Sequence, residues 1–132
     1  MLTSIPTPKV LTIDDEAMIR KVLSIQLERL GCLPLQAGNG ADGEFMALET
    51  VPDLILLDIM MPDQDGFQTC RNLRQKGFTG TIVMVSALSP EVGRSRALDC
   101  GANDFMQKPI SQEMLRACIN NLPDLRRERG SV

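Results

Sequence analysis

The sequence predicts one α/β domain: an open parallel sheet with helices on both faces. Short apolar runs alternate five times with longer amphipathic segments along the 132 residues, which is typical of strands alternating with helices. Right-handed crossovers and the absence of internal repeats leave few other arrangements of such pairs. The length suits a single domain, for which we expect residues 9–123, with an N-terminal extension over 1–8 and a C-terminal tail over 124–132.

The first predicted pair is a strand over Val10–Ile13 and a helix that begins near Glu16. Gly31 stands where a C-terminal cap belongs, so the helix is expected to end there. One face of this helix carries the apolar side chains that should meet the sheet. They are Ile19, Val22, Leu23, Leu27 and Leu30.

The second pair begins with a weaker strand over Leu33–Ala37. Because Pro34 has no N–H to donate, this strand is expected at an edge of the sheet. Asn39 and Gly40 then turn the chain into a helix predicted over about Gly43–Glu49.

The third pair contains the most apolar strand of the sequence, Leu54–Leu57, which ends at Asp58. A continuous apolar run is typical of a central parallel strand that is buried on both faces. Asp65, followed three residues later by Gln68, resembles a capping box. We expect a helix from there to Gly77.

The last two pairs are a strand over Thr81–Val85 with a helix near Pro90–Asp99, and a short strand over Phe105–Gln107 with a helix capped by Ser111. Gly93 costs about 1 kcal/mol relative to Ala inside a helix, so the fourth helix is expected to be the softest. The last helix is expected to turn these side chains inward: Met114, Leu115, Cys118, Ile119 and Leu122.

The composition excludes several classes of protein. Without histidine, the chain cannot hold a Ser-His-Asp or Cys-His arrangement. A net charge of −3 without a basic run lacks the footprint of a nucleic-acid-binding domain, and no apolar stretch approaches the roughly 18 residues of a membrane span. The first residues lack a secretion signal, so a reducing cytoplasm is expected. Four widely spaced cysteines are interpreted as small buried apolar residues: Cys32, Cys70, Cys100 and Cys118.

Polar residues follow four of the predicted strands, at the carboxyl edge where ligands of open α/β sheets gather. Three carboxylates that meet there repel one another unless a cation is bound, and oxygen ligands with few other donors favour Mg²⁺. An ammonium and a hydroxyl beside them would complement a phosphoryl group, with a carboxylate as the nucleophile. The residues are Asp14, Asp15, Asp58, Ser86 and Lys108.

Six motifs, in this order and at these spacings over nearly the whole chain, resemble the response-regulator receiver domain of two-component signalling. They are Asp14-Asp15-Glu16, the run PDLILLDIMMP from Pro52 to Pro62, Asp65-Gly66, Ser86-Ala87, the run GANDF from Gly101 to Phe105, and Lys108-Pro109. The resemblance implies a flavodoxin-like fold with the strand order 2-1-3-4-5. It also implies a signalling module that assists its own phosphorylation and dephosphorylation rather than an enzyme in its own right.

The resemblance assigns a role to each residue of the phosphorylation site. Asp58 would accept the phosphoryl group from a sensor histidine kinase or a phosphotransfer protein, which must act in trans because this chain has no histidine. Asp15 would bind Mg²⁺ directly and Asp14 through water, together with Asp58 and the main-chain carbonyl of Met60. Lys108 would pair with Asp58 or its phosphate, and the peptide bond that follows it is expected to be cis.

The same resemblance implies a two-state switch. Ser86 would move toward a bound phosphoryl oxygen, and Phe105 would turn inward behind it. The fourth helix, the fifth strand and the fifth helix would form the readout face, which is also where a homodimer would form. Phe105 stands where tyrosine is frequent, so no ring hydroxyl can take part. The softness of the fourth helix suggests that it is mobile until activation.

Met60 and Leu88 lie two residues beyond Asp58 and Ser86 and are both apolar. We hypothesise that their bulk obstructs hydrolytic water and slows the loss of the phosphoryl group. Met60 also stands where an aspartyl-phosphate phosphatase would have a second acid, which disfavours that alternative.

Two further alternatives stay open. A flavin carrier with the same fold is disfavoured, because acids after the first strand would repel its phosphate. A receiver that binds partners without being phosphorylated is the other alternative, and the complete acidic set argues against it. The arginines near the end of the chain are interpreted as a solvated end of the last helix or tail: Arg126, Arg127 and Arg129.

Overall fold

Strands and helices alternate in the computed structural model, which describes residues 7–123. The elements are β1 (Lys9–Ile13), α1 (Ala17–Arg29), β2 (Leu33–Ala37), α2 (Gly40–Thr50), β3 (Leu54–Asp58), α3 (Gly66–Gln75), β4 (Thr81–Ser86), α4 (Pro90–Asp99), β5 (Asp104–Gln107) and α5 (Gln112–Asn120). The strands are parallel and lie in the order β2-β1-β3-β4-β5. This order confirms the predicted flavodoxin-like α/β fold, with β2 at a sheet edge.

The central strand β3 separates two apolar cores. Ile55 and Leu57 belong to the core on the side of α2, α3 and α4, which also contains Phe105. Leu54 and Leu56 belong to the core on the side of α1 and α5. Every residue of β3 is buried, as predicted for a strand covered on both faces.

Sheet register brings the ends of the inner strands together. Ile13, the last residue of β1, pairs with Leu57 of β3, so the residues that follow them, Asp14 and Asp58, are neighbours across the two strands. Asp58 in turn pairs with Val85 of β4. The carboxyl edge of the sheet therefore carries the polar residues predicted to converge.

Helix boundaries differ from the prediction mainly at α2. It begins at Gly40, three residues before the predicted Gly43, because the side chain of Asn39 caps the helix by accepting a hydrogen bond from the Asp42 amide at 2.8 Å. The predicted capping box at α3 is half formed. Asp65 accepts from the Gln68 amide at 2.9 Å, while the Gln68 side chain donates along the helix instead of back to the cap.

Some predicted core residues are more exposed than expected. Val22 is 47% exposed, because the face of α1 that meets the sheet is narrow and is centred on Leu23 and Leu27. Met114 and Cys118 are partly buried, on the flank of α5. The other three cysteines are buried, as predicted, and all four are free thiols.

The predicted chain ends are only partly described. Of the N-terminal extension over residues 1–8, only the last two residues are described, and the tail over 124–132 with Arg126, Arg127 and Arg129 lies outside the described residues. Among the helices of residues 7–123, none is both long and apolar enough to cross a membrane.

Candidate functional site

Three carboxylates converge at the carboxyl edge of the sheet. Asp14 and Asp58 are buried, with 2% and 4% of their surfaces exposed, whereas Asp15 is exposed. One carboxylate oxygen from each of the three lies within 4.8 Å of the others. The sequence-based prediction that these acids meet is therefore confirmed.

Lys108 places its ammonium between the two buried acids. Its Nζ donates to Asp14 Oδ2 at 3.1 Å and to Asp58 Oδ1 at 3.3 Å. The main chain holds Lys108 beside β4, since its amide donates to the Ser86 carbonyl at 2.8 Å. The Lys108-Pro109 peptide bond is cis, as predicted. We call Asp14, Asp15, Asp58 and Lys108 the strand-end cluster.

Asp14 is fixed by contacts at both its side chain and its main chain. Its Oδ1 accepts from the Glu16 amide at 2.9 Å at the start of α1. Its carbonyl accepts from Arg20 Nη1 at 2.7 Å. These bonds leave the carboxylate facing the cluster in one orientation.

The charges of the cluster alter its titration. Burial, and next the charge of Asp14, raise the pKa of Asp58 to about 6, against the opposing effect of Lys108. Burial would lower the pKa of Lys108, but its hydrogen bonds and charge contacts with Asp14 and Asp58 outweigh burial and raise it. Lys108 is therefore an ammonium at neutral pH.

The donor set of the cluster fits a small hard cation. Three carboxylates against one ammonium leave an excess of negative charge at the edge of the sheet. Carboxylate oxygens are the ligands that Mg²⁺ prefers, and a site with few protein ligands suits an ion that keeps several waters. Asp14, Asp15 and Asp58 are the residues of this site that could hold it.

Ser86 lies at the same edge, but Phe105 does not. Ser86 is fully buried and follows Val85, the strand partner of Asp58. Its Oγ accepts a hydrogen bond from the Leu88 amide at 3.2 Å. Phe105 pairs with Met84 in the sheet and is buried within the core, so its ring already points inward.

Met60 and Leu88 line one open groove of about 540 Å³ between the β3–α3 segment and α4. Met60 is 67% exposed. The two residues come two positions after Asp58 and Ser86, which end the adjacent strands β3 and β4. That their bulk obstructs hydrolytic water stays a prediction.

Sequence reasoning missed the support beneath Asp58. Gly66 begins α3 so close to β3 that a Cβ atom there would overlap the carbonyl oxygen of Asp58 and lie 2.8 Å from Ile59 Cα. A second missed feature is Glu44 of α2, a buried carboxylate that contacts the segment after Asp58 through Gln64. Asp65-Gly66 was a signal for the first, but a glutamate within a helix gave none for the second.

The family and the solved structures that this chain resembles agree with this geometry. The sequence profile described as "Response regulator receiver domain" covers residues 10–120. The receiver domain of the Francisella response regulator 1452 superposes with a TM-score of 0.84 at 29% identity, over 92% of this chain and 99% of that one. The BeF3-activated N-terminal receiver domain of Klebsiella pneumoniae RstA superposes with a TM-score of 0.81 at 28% identity, over 89% of this chain and 98% of that one.

Curated relatives are longer regulators. The chain is 42% identical to the transcriptional regulatory protein ResD of Bacillus subtilis over 78% of its own length and 42% of that protein. It is 38% identical to the DNA-binding dual master transcriptional regulator RpaA of Synechocystis sp. over 87% of its own length and 48% of that protein. The chain thus spans less than half the length of these relatives. Profile, fold and strand-end cluster agree, and the chain belongs to the response regulator receiver domain family of two-component signalling.

Proposed function

We propose that this receiver accepts a phosphoryl group on Asp58, assisted by Mg²⁺, from a sensor histidine kinase or a phosphotransfer protein. The observation that carries the proposal is the contact of the Lys108 ammonium with both Asp14 and Asp58. It supports the proposal because the buried carboxylate of Asp58 lies beside a fixed positive charge and two further acids. Asp58, Lys108 and Ser86 are the proposed catalytic residues.

The transfer moves one phosphoryl group between two side chains. A carboxylate oxygen of Asp58 attacks phosphorus, the P–N bond to the partner's histidine breaks, and the leaving imidazole takes a proton from solvent. Lys108 pairs with the phosphoryl oxygens. Held by Asp14, Asp15, Asp58 and the main-chain carbonyl of Met60, Mg²⁺ would neutralise charge on the phosphoryl oxygens.

The proposed switch begins at Ser86. Its hydroxyl oxygen now accepts a hydrogen bond from the Leu88 amide, and rotation of the side chain toward a phosphoryl oxygen on Asp58 would exchange this contact for one in which the hydroxyl donates. Leu88 lies in the loop before α4, so this exchange of partners would alter that loop and the face formed by α4, β5 and α5. Phe105, whose ring packs beneath α4, would change its packing in response. A homodimer would form through the same face.

The proposed donor docks on α1. Three apolar side chains, Met18, Val22 and Ile25, are exposed at helical spacing on this helix. Beside them a groove of about 350 Å³ runs to Lys108, Pro109 and Ile110. An apolar surface that ends at the strand-end cluster supports docking of the protein that must bring its histidine to Asp58.

The proposal places the domain in the cytoplasm with no direct contact to nucleic acid. DNA binding is stated in the name of the Synechocystis relative and is a property of that longer protein.

Acetyl phosphate with Mg²⁺ tests the proposal directly. We expect the intact mass of the wild type to increase by one phosphoryl group, and Asp58→Asn or a metal chelator to abolish this gain. Asp63→Asn is the matched control, because it changes an exposed acid in the segment that follows Asp58. An unmodified wild type would favour the phosphorylation-independent interaction module, and turnover of small phosphoesters would favour the phosphatase.

A further inference from the structure

Glu44 is a buried carboxylate that stands apart from the strand-end cluster. It lies on α2 and is 5% exposed. Gln64 Nε2 donates to its Oε2 at 2.6 Å. Asn72 Nδ2 of α3 donates to Oε2 at 2.9 Å, and Nζ of Lys76, the residue that caps the end of α3, donates to Oε1 at 2.7 Å. Burial alone would raise the pKa of Glu44, but these donors lower it, so the group is charged at neutral pH.

Gln64 links this carboxylate to the segment over residues 59–65, which connects β3 with α3 and begins directly after Asp58. Both N–H groups of its amide are used, one by Glu44 and the other by Thr69 Oγ1 at 2.8 Å. A Cβ atom at Gly40 would lie 2.6 Å from Gln64 Nε2 and would also overlap Thr69 Oγ1. The absence of a side chain at Gly40 therefore leaves room for the Gln64 amide.

The same segment turns back tightly on Ile59, the residue that follows Asp58. The amides of Met61 and Gly66 both donate to the Ile59 carbonyl, at 3.1 and 2.9 Å. Asp63 adopts a φ of 68°, in the left-handed region that non-glycine residues seldom occupy. Such a conformation persists where surrounding contacts hold it, and the side-chain contact from Gln64 to Glu44 is one of those contacts.

We propose that Glu44 is a positioning residue, which acts through Gln64 to hold the 59–65 segment, and with it Asp58 and the Met60 carbonyl, in the geometry that binds Mg²⁺. The role in Mg²⁺ binding rests on the proposed function. The contact between Glu44 and the 59–65 segment is observed in the structure and does not depend on that function. Outer contacts that orient metal-binding groups commonly contribute about tenfold to metal affinity.

The test compares donors that reach Glu44 from different places. Gln64→Leu removes the donor on the segment, whereas the controls Asn72→Ala and Lys76→Met remove the donors on α3 and at its C-terminal cap. We expect Gln64→Leu to accelerate amide hydrogen exchange at Met61 and Gly66 by about tenfold, because a hydrogen bond to a charged group is lost. It should also weaken calorimetric Mg²⁺ binding by about tenfold. The controls should lower the melting temperature but leave both readouts within about twofold of the wild type.

A double-mutant cycle separates positioning from general stability. Glu44→Gln should weaken Mg²⁺ binding in the wild type and have no further effect in the Gln64→Leu background. Gln64→Glu, which would face Glu44 with a second carboxylate, provides an independent variant and should accelerate segment exchange further.

Unchanged exchange at Met61 and Gly66 in Gln64→Leu would overturn the inference. Equal acceleration by Asn72→Ala would overturn it as well, because Glu44 would then act on overall stability. The exchange measurement uses neither metal nor phosphate. It therefore stays informative even if wild-type Asp58 accepts no phosphoryl group, the outcome that would defeat the proposed function alone.

Discussion

Gly93 of α4 packs directly against the ring of Phe105. A Cβ atom at residue 93 would overlap Cε2 of the ring and lie 2.7 Å from its Cζ. By sequence alone, this glycine is a weakness in the helix. Close packing is a second reason for a glycine at residue 93, because α4 can lie this close to β5 only where the helix has no side chain.

Gly93→Ala should therefore destabilise the domain. Alanine favours the helix by about 1 kcal/mol over glycine, but overpacking against Phe105 costs about 1–3 kcal/mol. We expect a net loss in the free energy of unfolding, measured by urea denaturation. Ser95→Ala, at an exposed position of α4, is the control and should change stability little. A Gly93→Ala domain more stable than the wild type would show that the ring has room to move.

Helix α4 should have the lowest local stability of the helices α1–α5 before activation. Its buried residues are Gly93 and Ala97, which bring little apolar side-chain surface to the core, whereas α1 buries Leu23 and Leu27. We expect amide hydrogen exchange in the metal-free, unphosphorylated protein to be faster in α4 than in α1. Equal protection of the two helices would refute this expectation.

Asp58 should make the metal-free domain less stable as the pH rises. Its pKa is raised from a usual value of 3.8 to about 6 in the folded protein, so between these values the folded state binds more protons than the unfolded state. Stability is thus highest below about pH 4 for this group and falls as the pH passes through about 6. Asp58→Asn should remove this part of the pH dependence and raise the melting temperature at pH 7. Parallel stability curves for the two proteins between pH 4 and 7 would contradict the assignment.

Lys108→Met should destabilise the metal-free protein and make its stability depend more on Mg²⁺. Asp14 and Asp58 stay buried but lose their shared counter-charge, and breaking a buried ion pair costs about 3–5 kcal/mol; the lower end applies because Lys108 is 20% exposed. Added Mg²⁺ should restore more of the melting temperature in this variant than it adds to the wild type. Lys21→Met, on an exposed part of α1, should show no such gain.

Met60→Asn and Leu88→Ala should each shorten the lifetime of the phosphorylated protein. Both changes reduce apolar bulk in the groove that the two side chains line, where we hypothesise that water approaches Asp58. The rate of phosphate loss after removal of acetyl phosphate measures the effect, with Met18→Asn on the exposed face of α1 as the control. Unchanged rates in both variants would reject the hypothesis that these side chains obstruct water.

The fold and the strand-end cluster could be predicted because they follow from chain-local signals. Apolar runs gave the strands, and the carboxyl ends of parallel strands share one edge, so Asp14 and Asp58 had to meet once their strands were neighbours. Lys108 was predicted for the same reason.

Features that depend on contacts between helices could not be predicted in this way. Glu44 resembles any solvent-exposed glutamate in sequence, and only the approach of α2 to α3 buries it among its donors. Val22 has the spacing of a core residue, but how wide a face of α1 meets the sheet is set by tertiary packing. The early start of α2 depended on whether Asn39 capped the helix or only turned the chain.

Reductive trapping of the phosphorylated protein tests the central claim most directly. Borohydride converts an aspartyl phosphate to homoserine, which peptide mass spectrometry locates. After treatment with Mg²⁺ and acetyl phosphate, we expect homoserine at residue 58 and no homoserine there when Mg²⁺ is chelated. Homoserine at another acid, or none in a folded wild type, would contradict the assignment of Asp58 as the phosphoryl acceptor.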